Sequence, residues 1–117
     1  GYMYLWGGCH SMAEIKDPNH TRFDCSGLVS WAYYQAGADI GSNTCSTLLK
    51  KGRTITYEQL QAGDIVLYSN PSEGVHHVAI YIGGGKVVHA PRTGKPVQTV
   101  NANWSTETMI YKRLLDY

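Results

Sequence analysis

The stretch from Phe23 to Gly37 does most to limit what this chain can fold into. Leu28, Val29, Trp31, Ala32 and Ala36 recur at three- and four-residue spacing, which predicts a helix with one buried face. Asp24 is a favoured N-cap residue, able to accept from the free amides of the first turn. Gly37 suits the position just past the helix, where a left-handed backbone is common. Cys25 then begins the helix, where unpaired amides and the positive end of the dipole converge. A free thiol, with pKa about 8.5, is only slightly ionised near neutral pH, and a helix start with an imidazolium nearby lowers that value. Asp24 acts in the opposite sense, because its carboxylate disfavours a second anion beside it. The expectation is that the dipole and a histidine prevail. On the helix alone, a buried structural thiol is an equally good reading, since free cysteine is among the most buried residue types.

After this helix the pattern changes. Ser46 to Lys51 predicts a short second helix capped by Thr44 or Ser46, and Thr56 to Leu60 one further turn. Gly63-Asp64 marks the change to strands at 65–68, 75–82, 86–90, 97–100 and 109–115. Gly83-Gly84-Gly85 is a hairpin signal, because glycine tolerates the positive φ of such turns, and Pro91 to Gly94 reads as a loop. Before the helix, residues 2–8 are an aromatic run closing on Gly7-Gly8, and residues 9–22 read as a polar surface loop. Helices first, then about five strands with short connections, predict an α+β domain with an antiparallel sheet. The 117 residues, 43% apolar and 16% charged, fit a single folded domain, 1–117. A net charge of +1 gives no electrostatic case for nucleic acid. No apolar run approaches the ~20 residues of a membrane span. Asn19-His20-Thr21 and Asn103-Trp104-Ser105 match the glycosylation acceptor pattern, and no role is assigned to them.

Cysteine and histidine carry the chemistry. Cys9, Cys25 and Cys45 cannot all pair within one chain. Either Cys9 bridges Cys45 with Cys25 free, or all three are reduced thiols. No Cys-x-x-Cys or His-x-x-x-His spacing supports a metal site, and no cofactor is implied. His10 and His20 lie in the polar loop and are expected to be solvated. His76 and His77 open an apolar strand, and His89 lies in the next. A histidine in an apolar strand is costly unless its ring nitrogens find partners. One such residue reads as a satisfied core histidine. Two on adjacent strands, with a cysteine at a helix start, point instead to a nucleophile, a base and a residue that orients the base.

Five segments occur in an order that resembles the NlpC family of papain-like cell-wall peptidases. They are Tyr4-Leu5-Trp6-Gly7-Gly8, Phe23-Asp24-Cys25-Ser26-Gly27-Leu28, Leu60-Gln61-Ala62-Gly63-Asp64-Ile65-Val66, His77-Val78-Ala79-Ile80-Tyr81-Ile82-Gly83 and Val88-His89-Ala90. The resemblance implies a papain-like α+β fold with Cys25 at the start of the first helix. It implies Cys25 as nucleophile, His77 as general base, His89 as its orienting partner and Tyr4 as an oxyanion or substrate donor. Asp24, Ser26, Trp6 and His76 fall where substrate is contacted. The implied substrate is the peptidoglycan stem peptide, cut between γ-D-glutamyl and a diamino acid. A related amidase cutting between sugar and L-alanine, and a non-catalytic wall-binding module, are the rival readings.

Two departures from the family pattern stand out. Residues 9–22 look like an insertion bordering the cleft, and the helix that precedes the aromatic motif is missing. The implied molecule is a monomeric catalytic domain, excised or processed from a longer extracytoplasmic protein with other domains. In that compartment, where disulfides persist, Cys9 and Cys45 are expected to pair.

Register sets a sharper expectation. A two-residue Gly84-Gly85 loop pairs Ile80 with His89 and throws His77 and His89 to opposite faces. A three-residue loop, Gly83 to Gly85, pairs Ala79 with His89 and leaves both histidines on one face, diagonal to each other. The three-residue loop with a bulge-type glycine turn is therefore predicted, with the His77 ring between Cys25 and His89.

Overall fold

The computed structural model describes residues 2–92 and 94–115. Thr93, in the expected 91–94 loop, lies outside them. Six antiparallel strands form the main sheet: β3 (Arg53–Ile55), β4 (Ile65–Asn70), β5 (Gly74–Gly83), β6 (Lys86–His89), β7 (Gln98–Asn101) and β8 (Thr108–Arg113). Their order is β3-β8-β4-β5-β6-β7. The five expected strands are all present. The sixth, β3, has one buried residue, Ile55, in three, too little pattern to be read from sequence. A separate parallel pair joins β1 (Met3–Tyr4) to β2 (Arg22–Phe23).

Three helices accompany the sheet: α1 (Met12–Lys16), α2 (Cys25–Gln35) and α3 (Cys45–Leu49). Cys25 does begin α2, but α2 is second in chain order, not first. The reason is Ser11, which caps α1 in a reciprocal box with Glu14, so the supposed surface loop folds into a helical turn. That segment also enters the core. Cys9 and Ile15 are fully buried with Phe23 and Leu28. Thr44 caps α3 as expected, and a 3-10 turn occupies Tyr57–Gln59.

The 11-residue α2 is the longest helix and holds the layers together. The Asp24 carboxylate accepts from the Gly27 N–H at 2.7 Å, and Gly37 follows the helix with φ of 100°. The buried face differs from the apolar spacing. Leu28 and Val29 are buried, but so are Ser26, Gly27, Ser30 and Tyr33, whereas Ala36 is exposed. Polar members of that face are satisfied in place: Ser30 Oγ accepts from Asn43 at 3.3 Å, and Tyr33 donates to the Gly63 carbonyl. Trp31 lies at the margin, donating to the Asp17 carbonyl at 2.8 Å and packing at a tilt against Phe23, ring centroids 5.0 Å apart. Val29 and Tyr33 pack on Ile65, Leu67 and Val78 of the central strands.

The β5–β6 hairpin reaches the expected register by a different device. The turn pairs Gly83 with Lys86, a two-residue loop, and not the three-residue loop expected. A register shift between Tyr81 and Gly83 then leaves Ile82 as an extra residue, so Tyr81 faces Val87 and Ile80 faces Val88. One step further, Ala79 lies opposite His89. Three consecutive glycines at φ of 92°, 62° and 76° make the combination of tight turn and bulge possible.

A buried ion pair closes the far side of the sheet. Asp64, wholly buried, receives Arg113 Nε at 3.0 Å and a second guanidinium nitrogen at 2.8 Å. At the near side the helix is seated with no spare room: a Cβ on Gly27 would stand 2.1 Å from the Gly8 carbonyl oxygen. Backbone cannot yield as a side-chain tip can. Gly27→Ala is therefore expected to destabilise the fold by ~1–3 kcal/mol through overpacking, seen as a lower urea midpoint with unchanged m-value.

Candidate active site

Two short backbone features bring Tyr4 to the head of α2. The parallel bridge pairs Tyr4 with Phe23, and the Leu5 N–H donates to the Phe23 carbonyl at 2.8 Å. The Asp24 N–H donates to the Gly8 carbonyl at 3.2 Å, drawing the glycine pair against the helix start. Around this junction lies a cleft of about 500 Å³ lined by Tyr4, Trp6, His10, Asp24, Cys25, Ser26, Cys45 and His76. Six of the eight site residues expected from sequence share it. The other two, His77 and His89, are buried behind it.

The histidines meet as the register requires. His77 Nε2 lies 2.8 Å from His89 Nδ1, with the ring planes at 78°. That leaves Nδ1 of His77 for the sulfur side, and His77 contributes to lowering the Cys25 pKa. For His77 to exchange a proton with sulfur through Nδ1, its Nε2–H must donate to His89 Nδ1. His89 then carries its own proton on Nε2. Burial, with His77 second, pushes the His89 pKa down to about 4, so it stays neutral and accepts. Its Nε2 is buried with no hydrogen-bond partner among the described residues. The Trp104 ring covers the pair, 4.9 Å from the His89 centroid and 5.7 Å from that of His77.

The sulfur environment departs from expectation. Cys9, Cys25 and Cys45 are all free, so the Cys9–Cys45 disulfide is not present. Cys45 sits against Cys25, with Sγ atoms 3.7 Å apart, while Cys9 is sealed in the core, where burial pushes its thiol up to about 12. The Cys25 pKa is lowered chiefly by the Cys45 thiol donating to it, with His77 adding a hydrogen bond and its charge; burial and Asp24 oppose. The same contact raises Cys45. A thiol donor, which sequence reasoning did not foresee, therefore joins the histidine it did.

Nor is His10 free in solvent. Its Nε2 contacts both Asp24 carboxylate oxygens, at 2.8 and 2.7 Å. Asp24 thus serves as N-cap, His10 partner and acceptor for Ser26 Oγ at 3.3 Å. His76 is exposed and paired with Glu107 at 2.8 Å. His20 contacts the Arg22 carbonyl at 2.6 Å. Trp6 is 84% exposed at the cleft rim. Burial, then Cys25, Asp24 and Cys45, raise the Tyr4 pKa, keeping its hydroxyl protonated as a donor.

Comparison with known proteins decides the lineage. A profile of the NlpC/P60 family matches residues 1–115. The chain belongs to the NlpC/P60 family. It is 42% identical over 83 residues to the peptidoglycan DL-endopeptidase CwlO of Bacillus licheniformis, a match covering 70% of this chain and 18% of that protein. It is 31% identical over 116 residues to the gamma-D-glutamyl-L-lysine dipeptidyl-peptidase of Bacillus subtilis, covering 97% of this chain and 35% of that protein. The solved NlpC/p60 domain of the peptidoglycan hydrolase SagA matches with a TM-score of 0.70 at 36% identity, covering 97% of this chain and 88% of that one. The chain therefore spans well under half the length of the two curated relatives.

Within this NlpC/P60 domain, Cys45, His10 and Trp104 are the site neighbours that sequence reasoning missed. Cys45 had one signal, a third cysteine left over from any single pairing. His10 was expected at the cleft only as part of the 9–22 segment, without its Asp24 partner, and Trp104 had no signal, because their partners are 14 and 15 or more residues away. Two measurements check the electrostatics. Iodoacetamide alkylation of Cys25 is expected to show a midpoint well below the ordinary thiol value of about 8.5, rising in Cys45→Ala, where the largest lowering contribution is gone. In Trp104→Ala, water reaches His89, so its pKa is expected to climb from about 4 toward ~6.5, read by histidine NMR titration. An unmoved value would assign the depression to His77 and not to burial.

Proposed function

We propose that this chain is the catalytic domain of a cysteine endopeptidase acting on peptidoglycan stem peptides. The observation that carries the reading is the line from Cys25, through His77, to His89 Nδ1 at 2.8 Å from His77 Nε2, opening on a cleft. Cys25 is the nucleophile. Its thiolate attacks an amide carbon, and the oxyanion meets the Cys25 backbone N–H at the head of α2 and the Tyr4 hydroxyl. His77 gives its Nδ1 proton to the leaving amine as the thioester forms. It then takes a proton from the attacking water, and the acid leaves with Cys25 restored. His89 fixes the His77 ring through its neutral Nδ1 acceptor.

The bond we propose is that between γ-D-glutamyl and the diamino acid. The names of the two curated relatives, a DL-endopeptidase and a gamma-D-glutamyl-L-lysine dipeptidyl-peptidase, support this choice. Trp6, Ser26 and His76 line the cleft as substrate contacts. Asp24 contributes by holding His10 and the helix start. Such a substrate places the domain outside the cytoplasm, working as a monomer attached to other domains of a longer protein. Among the described residues, no helix is long and apolar enough to cross a membrane.

Digestion of defined muropeptides, with mass spectrometry of the products, tests this. The expected products are a fragment ending in D-glutamate and one with a new diamino-acid amine. Release of L-alanine amines from the sugar would make the protein an amidase. Binding to sacculi without released fragments would make it a wall-binding module. Cys25→Ala is expected to lose all turnover while keeping its fold, and Tyr4→Phe to lose ~10²-fold in kcat as one oxyanion donor goes.

A further inference from the structure

Cys45 takes no covalent part in the peptidase steps above, yet it stands in contact with the sulfur that does. The two Sγ atoms are 3.7 Å apart, and a disulfide needs about 2.05 Å. Both residues are half-buried, both line the cleft, and each begins a helix. Cys45 is held there by a built scaffold. Asn43, 3% exposed, donates to Ser30 Oγ of α2 and to the Ile40 and Gly41 carbonyls, and accepts from Thr47 Oγ1 at 3.0 Å. Leu48 of α3 and Val29 of α2 are fully buried in one cluster, against which both cysteines pack. The two sulfurs are thus carried by helices anchored to a common core and held in contact.

We propose that Cys25 and Cys45 form an oxidative modification site, in which Cys45 captures peroxide-oxidised Cys25 as a reversible intramolecular disulfide. The inference rests on the reading of Cys25 as the nucleophile. The Cys25 thiolate attacks one oxygen of hydrogen peroxide. The O–O bond breaks, an S–O bond forms, and the departing hydroxide takes the His77 proton and leaves as water. Sulfur is oxidised to sulfenic acid and peroxide is reduced. Cys45 sulfur then attacks Cys25 sulfur. The S–O bond breaks, the S–S bond forms, and the hydroxyl leaves with the Cys45 proton as a second water. Two thiols and one peroxide become one disulfide and two waters. The interaction that keeps Cys45 protonated comes chiefly from Cys25, and it ends once Cys25 is no longer an anion. A dithiol reductant restores both thiols by exchange. Without Cys45, sulfenic acid is open to a second peroxide and proceeds to sulfinic acid, which thiols do not reduce.

The test treats the reduced protein with hydrogen peroxide, then reads intact mass, peptide linkage and hydrolysis before and after dithiothreitol. The wild type is expected to lose about 2 Da, show a Cys25–Cys45 cross-linked peptide, lose activity and regain it on reduction. Cys9 is expected to stay unlinked. Cys45→Ala and Cys45→Ser, each compared with its own reduced rate, are expected to gain about 32 Da at Cys25 and to stay inactive after reduction. A wild type that gains about 32 Da with Cys45 still alkylatable overturns the proposal. So does linkage through Cys9, thiols untouched by excess peroxide, or equal recovery in the Cys45 variants. Mass and linkage read the disulfide whether or not muropeptides are cut. A reduced wild type that is inactive on them counts against the peptidase reading alone.

Discussion

The head of α2 is pressed onto backbone, and the site depends on that seating. Gly27 lies where a Cβ would stand 2.1 Å from the Gly8 carbonyl oxygen, so helix and aromatic segment are locked by shape and not by side-chain fit. The Asp24 N–H to Gly8 carbonyl bond and the Asp24 carboxylate to Gly27 N–H bond fasten the same junction. Cys25 is the next residue after that N-cap. Its sulfur has little freedom to drift from the sheet, and Tyr4, carried by the same segment, has little freedom to drift from the sulfur. The segment carrying α1 reinforces the arrangement from outside, through Ile15 in the core and His10 on Asp24.

Across the cleft, the sheet supplies a buried imidazole pair. A neutral histidine against the His77 ring differs physically from a carboxylate. It gives direction to the His77 ring without a second negative charge, so stabilisation of an imidazolium rests on a dipole and on neighbouring aromatic faces. Tyr68 and Trp104 lie 5.7 Å from the His77 ring centroid on their respective sides. Tyr68 is itself held by a 2.8 Å bond from its hydroxyl to the Ala102 carbonyl. His89 Nε2 is buried without a partner among the described residues.

One residue type meets three environments in this chain. Cys9 is apolar filling at a position with φ of 67°. Cys25 is ionisable because donors surround it, and Cys45 is the donor whose own ionisation that contact suppresses. Burial alone would raise all three. Geometry of a few ångströms between sulfur, thiol and imidazole decides which ionises most readily.

Local pattern determined a large part of this protein. Apolar spacing and caps placed α2, α3 and five of the strands, because period and capping are properties of neighbouring residues. The family resemblance carried by five motifs pointed to Tyr4, Cys25, His77 and His89 before any coordinates. Tertiary structure alone decided the rest. The Ile82 bulge, not loop length, set the histidine register, since three flexible glycines leave several turns open and sheet packing selects one. The burial of Cys9 and Ile15 depended on a hydrophobic pocket made by α2 and β2, which no local window contains. The partner of Cys45 was a matter of which helix start it faced. Sequence counts thiols, but the folded chain brings Cys25 and Cys45 to 3.7 Å and seals Cys9 away.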